Sequence, residues 1–427
     1  MPTGSRGSRT DLPPLPESWL PKEHTLHKPR HGGKQRFALI CAVIFFVAPL
    51  ATLAVGIRPA EIDNRVLVSF PSPGKGWGFF TALPQWGTDH LTFRSVALAG
   101  ADSISRGLFG EPPSFTTGQQ GVDPLAPNPQ PAPTALAVPR AIEGKNGWLY
   151  DGDDVVSRCE PARSLDKTIA ALQRLRDIVQ SSGRRFVLVI APDKSTAVPQ
   201  FLPNDYLGKQ CADAATTRFW QRVPAETGAL DLRGTLQAWA ARVGHPGYPP
   251  QDAHWNDEGA VAMTTAIADA TQPNVTNGWQ ITRDHSWRQA ADLPPLIGHQ
   301  GVDNGYYYAL DPDGKTDTAQ NIPFDFTTPL HLGSAVPGTV STSVGLLGDS
   351  FTIRALRYLN AGFSDIDVLH YGNVDSDDGR TAGEMLAGDK VVVVELVERT
   401  VESGNSILLH PAVLDGINRI LAAHPMH

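Results

Sequence analysis

The sequence predicts an α/β fold with a doubly wound parallel sheet, and three apolar runs indicate it. Arg185–Ala191 is a continuous apolar segment of strand length, as in sheets buried on both faces, and Val391–Val397, apolar except for Glu395, is a further predicted strand. A third run, residues 343–347, leads through Gly-Asp-Ser into the amphipathic spacing of residues 353–359. Strands that alternate with helices along the chain favour parallel pairing.

The N-terminal part predicts a membrane anchor. Of the 427 residues, the first 36 carry seven Lys or Arg against three Asp or Glu, although the whole chain has a net charge of −8. Residues 37–57 carry no charge and are long enough to cross a bilayer as one helix. The basic flank predicts a disordered cytoplasmic tail at 1–36 and an extracytoplasmic remainder from residue 58. A cleaved signal peptide is the alternative.

The remainder of the chain divides into two predicted regions. Residues 58–139 form a membrane-proximal region with helices and a Pro-rich linker at 112–138, and residues 140–427 form the main domain. The acidic balance of this remainder disfavours nucleic acid as a partner. Further elements of the main domain are predicted in this order: a helix at 165–179, a strand at 229–232, helices at 236–243 and 260–268, and a strand at 366–370.

The cysteines outside the predicted span are candidates for a disulfide. Cys159 and Cys211 both fall in the part placed outside, where an oxidising compartment permits pairing. Closing a loop of roughly 50 residues would stabilise the fold by ~4 kcal/mol in the chain-entropy model. Two separate thiols are the alternative. Cys41 lies in the predicted span.

Ser350 is the candidate nucleophile. It follows Gly348 and Asp349, where the predicted strand turns into a helix. Such a turn exposes the hydroxyl, and the helix N-terminus offers backbone N–H groups to a developing oxyanion. The GxSxG elbow of other serine hydrolases is absent. A plain turn with a capping residue explains the tripeptide equally well on its own.

Asp252 and His254 are the candidate partners of that serine. A serine nucleophile needs a base, and the base needs an orienting acid. Residues two apart in extended chain project to one side, so both side chains can reach the same mouth of the sheet. Open α/β sheets bind ligands at the carboxyl ends of their strands. A loop acid beside a hydrogen-bonded histidine is the alternative for this pair.

Taken together, these motifs resemble the SGNH hydrolases in the rearranged form of the alginate O-acetyltransferase AlgX/AlgJ family. The order Asp-x-His-Trp before Gly-Asp-Ser inverts the usual SGNH order, in which the serine comes first. The resemblance implies Ser350 as nucleophile, His254 as base and Asp252 as its partner. Its matching pieces are residues 144–150 (GKNGWLY), 191–194 (APDK), 252–255 (DAHW), 348–351 (GDSF) and 393–399.

The resemblance also implies oxyanion donors. The backbone N–H of Ser350 is one, and Gly372 matches the second-block glycine of SGNH hydrolases in position. A glycine that simply ends a strand is the alternative for Gly372. The usual third-block asparagine is missing, because Glu395, Glu398 and Arg399 occupy the end of the last strand.

Four further residues are candidates for substrate binding. Lys194 and Arg399 are expected to bind a carboxylate on the sugar, unless they form structural ion pairs. Trp255 and Tyr150 line the site or pack in the core. The Tyr306–Tyr308 run is a candidate for stacking on sugar rings or for packing.

The predicted function is transfer of an acetyl group to hydroxyls of a cell-envelope polysaccharide, outside the membrane, through an acyl-enzyme on Ser350. An esterase with the same triad and a non-catalytic polysaccharide-binding scaffold are the alternatives. The resemblance implies a membrane-bound acyltransferase as acetyl supplier. No metal or cofactor is predicted, because there is no HExxH motif and Gly314-Lys315-Thr316 lacks the upstream glycine of a P-loop.

Overall fold

This computed structural model describes residues 19, 33–56, 70–92, 94–109, 136–322 and 326–426. By its contacts the chain divides into two compact units, one of residues 1–60 and 67–94 and the other of residues 61–66 and 95–427. Most of the predicted tail at 1–36 and most of the predicted linker at 112–138 lie outside the described residues.

The helices and strands of the described part are numbered in chain order. The helices are α1 (Gly33–Ala54), α2 (Trp77–Asp89), α3 (Arg94–Phe109), α4 (Asp153–Cys159), α5 (Leu165–Ser181), α6 (Lys194–Ala197), α7 (Lys209–Thr227), α8 (Arg233–Val243), α9 (Asp257–Thr271), α10 (Thr352–Gly362), α11 (Arg380–Leu386), α12 (Glu398–Ser403) and α13 (Pro411–Ala423). The strands are β1 (Ala141–Glu143), β2 (Leu149–Asp151), β3 (Arg185–Ala191), β4 (Leu230–Asp231), β5 (Gln280–Ala290), β6 (Val302–Asp311), β7 (Leu330–Leu332), β8 (Val344–Gly348), β9 (Ile366–His370) and β10 (Val391–Val397).

The first unit contains α1 and α2. The hydroxyl oxygens of Thr52 and Thr92 lie 2.6 Å apart, and the Trp86 ring meets Phe70 edge-on at 5.0 Å. In the part of the chain that the structure describes, α1 included, no helix has both the length and the apolar character that a membrane crossing demands. The predicted span over residues 37–57 is therefore not supported.

The second unit is built on a six-stranded sheet in the order β4-β3-β10-β8-β9-β7. All neighbouring pairs are parallel except β7, which runs antiparallel to β9 at one edge. The predicted parallel sheet is thus confirmed, with one antiparallel edge strand. Because β3, β10 and β8 are parallel neighbours, their carboxyl ends, and the residues that follow them, lie along one edge.

Both faces of the sheet are buried, which explains why its strands are mainly apolar. On β10, Val391 and Val393 pack into one core, whereas Val392 and Val394 pack into another on the opposite face. Residues of α9 and α10 belong to the first core, and residues of α5 and α13 belong to the second. Alternate side chains of a strand point to opposite faces, so a strand between two helical layers is apolar on both faces. The buried Glu395 is the exception on β10.

Helix α3 belongs, from Ser95 onward, to the second unit. The carboxylate of Asp102 lies 3.0 Å from the His299 ring, and Arg106 lies 2.6 Å from Glu143 on β1. The sequence placed this helix in the membrane-proximal region. The boundary at 139/140 stays a prediction, because residues 110–135 lie outside the described residues.

A disulfide joins Cys159, at the end of α4, to Cys211 in the first turn of α7. Their Cα atoms are 5.7 Å apart, and 52 positions separate them in sequence. The predicted pairing is confirmed. The bond fixes the start of α7 against α4, at the side of the sheet where β3 and β4 end.

Replacing Cys159 and Cys211 by alanine is expected to lower the free energy of unfolding by about 4 kcal/mol, because the unfolded chain regains the entropy of the open loop. Denaturant unfolding of the wild type and of the double variant, both without reductant, measures this difference. Cys41→Ser is the matched control, since Cys41 is an exposed free thiol on α1. Equal unfolding midpoints for the wild type and the double variant would contradict a stabilising role.

Candidate active site

Ser350 lies between the end of β8 and the start of α10. Gly348 is required there because a Cβ at that position would sit 2.2 Å from the Thr352 hydroxyl oxygen. The Asp349 carboxylate accepts hydrogen bonds from the N–H groups of Phe351 at 2.9 Å and Val397 at 3.0 Å. Asp349 therefore fixes the turn to β10, and the Ser350 side chain stands at the carboxyl edge of the sheet.

Glu395 on β10 supports the same turn from the core. Its Oε2 accepts hydrogen bonds from the Asp349 N–H at 3.1 Å and from the Thr352 hydroxyl at 2.9 Å. Burial raises the pKa of Glu395 well above its usual range, and the negative charge of Asp349 adds to this shift. This shift favours the uncharged side chain, and Glu395 holds the serine turn by hydrogen bonding.

Because burial favours the uncharged Glu395 side chain, Glu395→Gln is expected to leave the free energy of unfolding nearly unchanged. Glu395→Ala removes the acceptor of two buried donors, so it should cost about 1–3 kcal/mol per unsatisfied group and slow the reaction at Ser350. Urea unfolding and hydrolysis of an acetyl ester measure both effects. Glu384→Gln, at an exposed position of α11, is the control. Equal damage from the glutamine and alanine variants would mean that Glu395 acts as a carboxylate.

His254 lies in the loop that leads into α9. The Asn256 side chain caps α9 by accepting from the Gly259 N–H, which fixes the end of this loop. The Trp255 indole is fully buried and donates to the Phe351 carbonyl at 3.0 Å. This bond ties the residue after the histidine directly to the residue after the serine, across 96 positions of sequence.

Lys194 holds the Asp252 end of this loop. It is 1% exposed, and its ammonium donates to the carbonyls of Pro250 at 2.8 Å and Asp252 at 3.0 Å. Burial lowers the pKa of Lys194 to about 8, against the raising effect of nearby carboxylates. The sequence offered Lys194 as a substrate ligand. The structure gives it a positioning role, because two of its three N–H donors are used on the backbone of the loop. A substrate contact by Lys194 stays a prediction.

Ser350, His254 and Asp252 are brought together as the sequence predicts. The His254 Nε2 lies 2.8 Å from the Ser350 Oγ, and its Nδ1 lies 2.9 Å from the Asp252 Oδ1. The imidazole also packs against the Phe351 ring at 4.9 Å. A proton on Nδ1 therefore leaves the Nε2 lone pair directed at the serine hydroxyl, which is the arrangement of a nucleophile, its base and an orienting acid.

Asp292 is a second carboxylate at the imidazole, and sequence reasoning missed it. Its Oδ2 lies 3.0 Å from the His254 Nδ1, and its Oδ1 accepts from the Ala253 N–H at 2.8 Å. It follows β5 in a region that the sequence characterises only as loop-rich, 38 positions after the histidine. An acid before Leu293 and two prolines looks like an ordinary turn, so no motif could have identified it.

The charges at this cluster shift all three pKa values. Burial lowers the pKa of His254, but the hydrogen bonds to Asp252 and Asp292 outweigh it and raise the value to about 10. Burial raises the pKa of Asp252, yet the bonded histidine brings it down to about 2. The pKa of Asp292 is raised, by burial first and then by the charge of Asp252. The resting imidazole is therefore protonated at neutral pH.

Of the two predicted oxyanion donors, the structure leaves one available. Among the described residues, the Ser350 N–H donates to no acceptor. The Gly372 N–H, by contrast, donates to the His370 Nδ1 at 2.9 Å. The oxyanion role expected of Gly372 is therefore not supported, because its donor is already bound to the side chain two residues before it.

The other residues offered as substrate ligands are mostly structural. Trp255 and Tyr150 are both 0% exposed, and the Tyr150 hydroxyl donates to the Val198 carbonyl at 2.6 Å. Both belong to the core, so neither lines an open surface. Arg399 is 18% exposed, binds Asp193 at 2.9 Å and lies 5.4 Å from the Phe351 ring beside the serine. A substrate contact by Arg399 stays a prediction.

Among the residues that the structure describes, two groups of side chains have the spacing of metal ligands. Asp252, His254 and Asp292 place their ligand atoms within 4.8 Å of one another, and so do three acids around Arg158. The first group is already joined by hydrogen bonds through the His254 Nδ1. In the second, Arg158 forms the central ion pairs, with acids at 2.6 to 3.2 Å: Asp193, Glu398 and Glu402. Charge pairing thus accounts for both groups.

In the described part of the chain, a groove and a pocket are lined by residues next to the segments of the site, and neither lining includes Ser350, His254 or Asp252. A groove of about 800 Å³ lies where β3 and β4 end, and polar side chains such as Thr196 and Asn204 line it. A pocket of about 290 Å³ is bounded by Pro250 and Asn256, which flank Asp252 and His254 in sequence. Tyr306 is 38% exposed and lines this pocket, so it is the one residue of the tyrosine run placed to stack on a sugar there.

The fold and the placement of Ser350 define an SGNH-like α/β domain. The family model described as ALGX, the SGNH hydrolase-like domain of acetyltransferase AlgX, matches residues 141–359. The match covers half of the chain, and the chain belongs to this family. It includes the loop that bears His254, the Ser350 turn and most of α10.

Individual relatives are more distant. The chain is 23% identical over 141 residues to a probable alginate O-acetylase AlgJ of Pseudomonas putida, and 27% identical over 132 residues to one of Pseudomonas syringae. These matches cover 33% and 31% of this chain, and 36% and 33% of the relatives. The chain thus spans about a third of the length of the curated relatives it matches.

Similar solved structures include the O-acetyltransferase domain of Pseudomonas putida AlgJ, with 17% identity and a TM-score of 0.46 over 66% of this chain and 99% of that one. AlgX of Pseudomonas aeruginosa is similar at 15% identity and a TM-score of 0.42, over 71% of each chain.

Proposed function

We propose that this protein is a serine-dependent O-acetyltransferase that acts on hydroxyls of a cell-envelope polysaccharide. The observation that carries the proposal is the alignment of the Ser350 Oγ, the His254 imidazole and the Asp252 carboxylate at successive distances of 2.8 and 2.9 Å. Membership of the AlgX family supports it, as do the names of the AlgJ relatives, which are probable alginate O-acetylases.

The mechanism follows from the positions of these atoms. Neutral His254 accepts the Ser350 proton on Nε2 while the Oγ attacks the acetyl carbonyl of the donor. The Ser350 N–H donates to the oxyanion that forms, and the imidazolium protonates the leaving group. A sugar hydroxyl then gives its proton to His254 and attacks the acetyl-serine. The product is a sugar acetate ester, and Ser350 regains its proton.

The proposal places the domain outside the cytoplasm. The Cys159–Cys211 disulfide supports an oxidising compartment. A membrane-bound acyltransferase is proposed as the acetyl supplier, because acetyl donors arise in the cytoplasm and must reach Ser350 across the membrane. Fusing a reporter after His427 tests the location. A reporter that is active only in the cytoplasm would contradict it.

The test of the reaction uses the full chain, an activated acetyl ester as donor and neutral and acidic oligosaccharides as acceptors. Acetylated oligosaccharide, detected by mass spectrometry, is the expected product. Release of acetate without acetylated sugar would favour the esterase with the same triad. Neither product, from a folded protein that still binds oligosaccharide, would favour the non-catalytic scaffold. The Ser350→Ala variant corrects for acetylation without enzyme.

A further inference from the structure

We infer that Asp292 is a second orienting carboxylate of His254 and that it acts redundantly with Asp252, so that the imidazole has two interchangeable acids. The inference rests on the proposed function, in which His254 is the base. Three observations carry it: both carboxylates reach the same ring nitrogen, both are held independently of the ring, and both side chains are largely shielded from solvent.

The geometry at Nδ1 is nearly symmetrical. The Asp252 Oδ1 lies 2.9 Å and the Asp292 Oδ2 lies 3.0 Å from this nitrogen. The side chains are 13% and 8% exposed, respectively, and the His254 ring is 11% exposed. A neutral imidazole has one hydrogen on Nδ1, so either carboxylate alone can accept it. Accepting that hydrogen is enough to fix the tautomer that directs Nε2 at Ser350.

Each carboxylate is also anchored without the imidazole. The Asp252 Oδ1 accepts from the His254 backbone N–H at 2.9 Å, and the Asp292 Oδ1 accepts from the Ala253 N–H at 2.8 Å. Consecutive N–H groups of one loop thus hold the two acids. Loss of one acid therefore leaves the other at bonding distance from the ring.

The surrounding charges set how strongly the pair acts. Besides the two acids, Arg354 on α10 acts on Asp252, and Lys194 on α6 is attracted to Asp252, Asp292 and Asp303 on β6. With two carboxylates and one imidazole, the cluster favours one extra proton, which resides on His254. The second acid therefore also slows the reaction at neutral pH, because His254 must lose that proton before it can act as a base. Removing either acid should lower the pKa of His254.

The test compares full-length Asp252→Asn, Asp292→Asn and the double variant. For each, kcat/KM with 4-nitrophenyl acetate is measured against pH, and the His254 pKa is read by NMR of histidine-labelled protein. On the high-pH plateau we expect each single variant to fall by at most about 10-fold and the double variant by about 10⁴-fold. In each single variant, the rising part of the plot of kcat/KM against pH should move to lower pH, and the His254 pKa measured by NMR should fall.

Asp303→Asn is the matched control. Asp303 is a buried acid that accepts from the Gln251 N–H of the same loop and is not bonded to the imidazole. It should leave the His254 titration near its wild-type position. Asparagine at 292 retains an acceptor oxygen for the Ala253 N–H, which protects the fold. At 252 the oxygen that accepts from the loop N–H also faces the His254 Nδ1, so Asp252→Ala, alone and with Asp292→Asn, is measured beside the asparagine variants.

Three outcomes would overturn the inference. If kcat/KM of the double variant is no lower than that of Asp252→Asn, Asp292 does not contribute to the reaction. If one single variant is as inactive as the double variant, the acid that it lacks is the one that orients His254. If the His254 pKa is unchanged in Asp292→Asn, Asp292 does not interact with the imidazole. The NMR titration needs no catalysis, so a displaced His254 pKa in a chain that transfers no acetyl would defeat the proposed function and leave the contact standing.

Discussion

Ser350→Ala is expected to lower acetyl transfer by about 10⁴-fold or more while leaving the fold intact. The hydroxyl supplies the attacking oxygen, and no other described side chain stands at the His254 Nε2. Its removal costs little packing, because the turn is held by the Asp349 carboxylate and the Glu395 side chain rather than by the serine oxygen. Initial rates with an acetyl donor and acceptor measure the effect, and urea unfolding checks the fold.

Ser181→Ala is the control for this experiment, because Ser181 lies at the end of α5 and its hydroxyl bonds only to the local helix carbonyl of Ile178. It should retain the full rate. A Ser350→Ala protein that acetylates oligosaccharide at the wild-type rate would remove the serine from the mechanism and would favour the scaffold function.

The second large effect is expected at His254. His254→Gln should lower kcat/KM by about 10⁴-fold, because the amide cannot accept the serine proton. The wild-type pH profile should also change. Only the neutral imidazole is a base, and its pKa is raised to about 10, so wild-type kcat/KM should rise as the pH increases towards 10. The variant should lack this limb.

The matched control is His285→Ala. His285 also pairs with an aspartate, its Nδ1 lying 2.7 Å from Asp284, but its side chain is 61% exposed on β5. It should keep both the rate and the pH profile. A rising limb that persists in His254→Gln would assign the titration to another group and contradict the base role.

The sequence predicted the sheet and the reactive residues for related reasons. Val391–Val397 is apolar except for Glu395 because helices cover both faces of β10, and this pattern is visible without coordinates. Ser350 and His254 could be predicted because each belongs to a short motif at the end of an element. The strand-to-helix turn requires Gly348, and the Asn256 cap marks the start of α9. Motifs of this kind involve residues that are neighbours in sequence, so they can be recognised without coordinates.

The remaining features depend on contacts between distant segments. Asp292 meets the imidazole only because β5 returns the chain to the loop, and nothing near it in sequence indicates this. Lys194 was expected to face substrate, but whether a cation faces solvent or a carbonyl depends on what packs over it. Gly372 has the expected place after β9, yet the neighbouring His370 side chain takes its N–H. A sequence motif does not show that an N–H group already donates to a nearby side chain.

The bond from the Trp255 indole to the Phe351 carbonyl has a practical consequence for capturing the protein with its ligands. It spaces the histidine loop and the serine turn through residues that take no part in proton transfer. A protein without the serine hydroxyl should therefore keep the same arrangement of the histidine loop and the serine turn. The Ser350→Ala variant should therefore bind donor or sugar without reacting with it. Mass spectrometry of the variant isolated from cells would then identify the bound molecule.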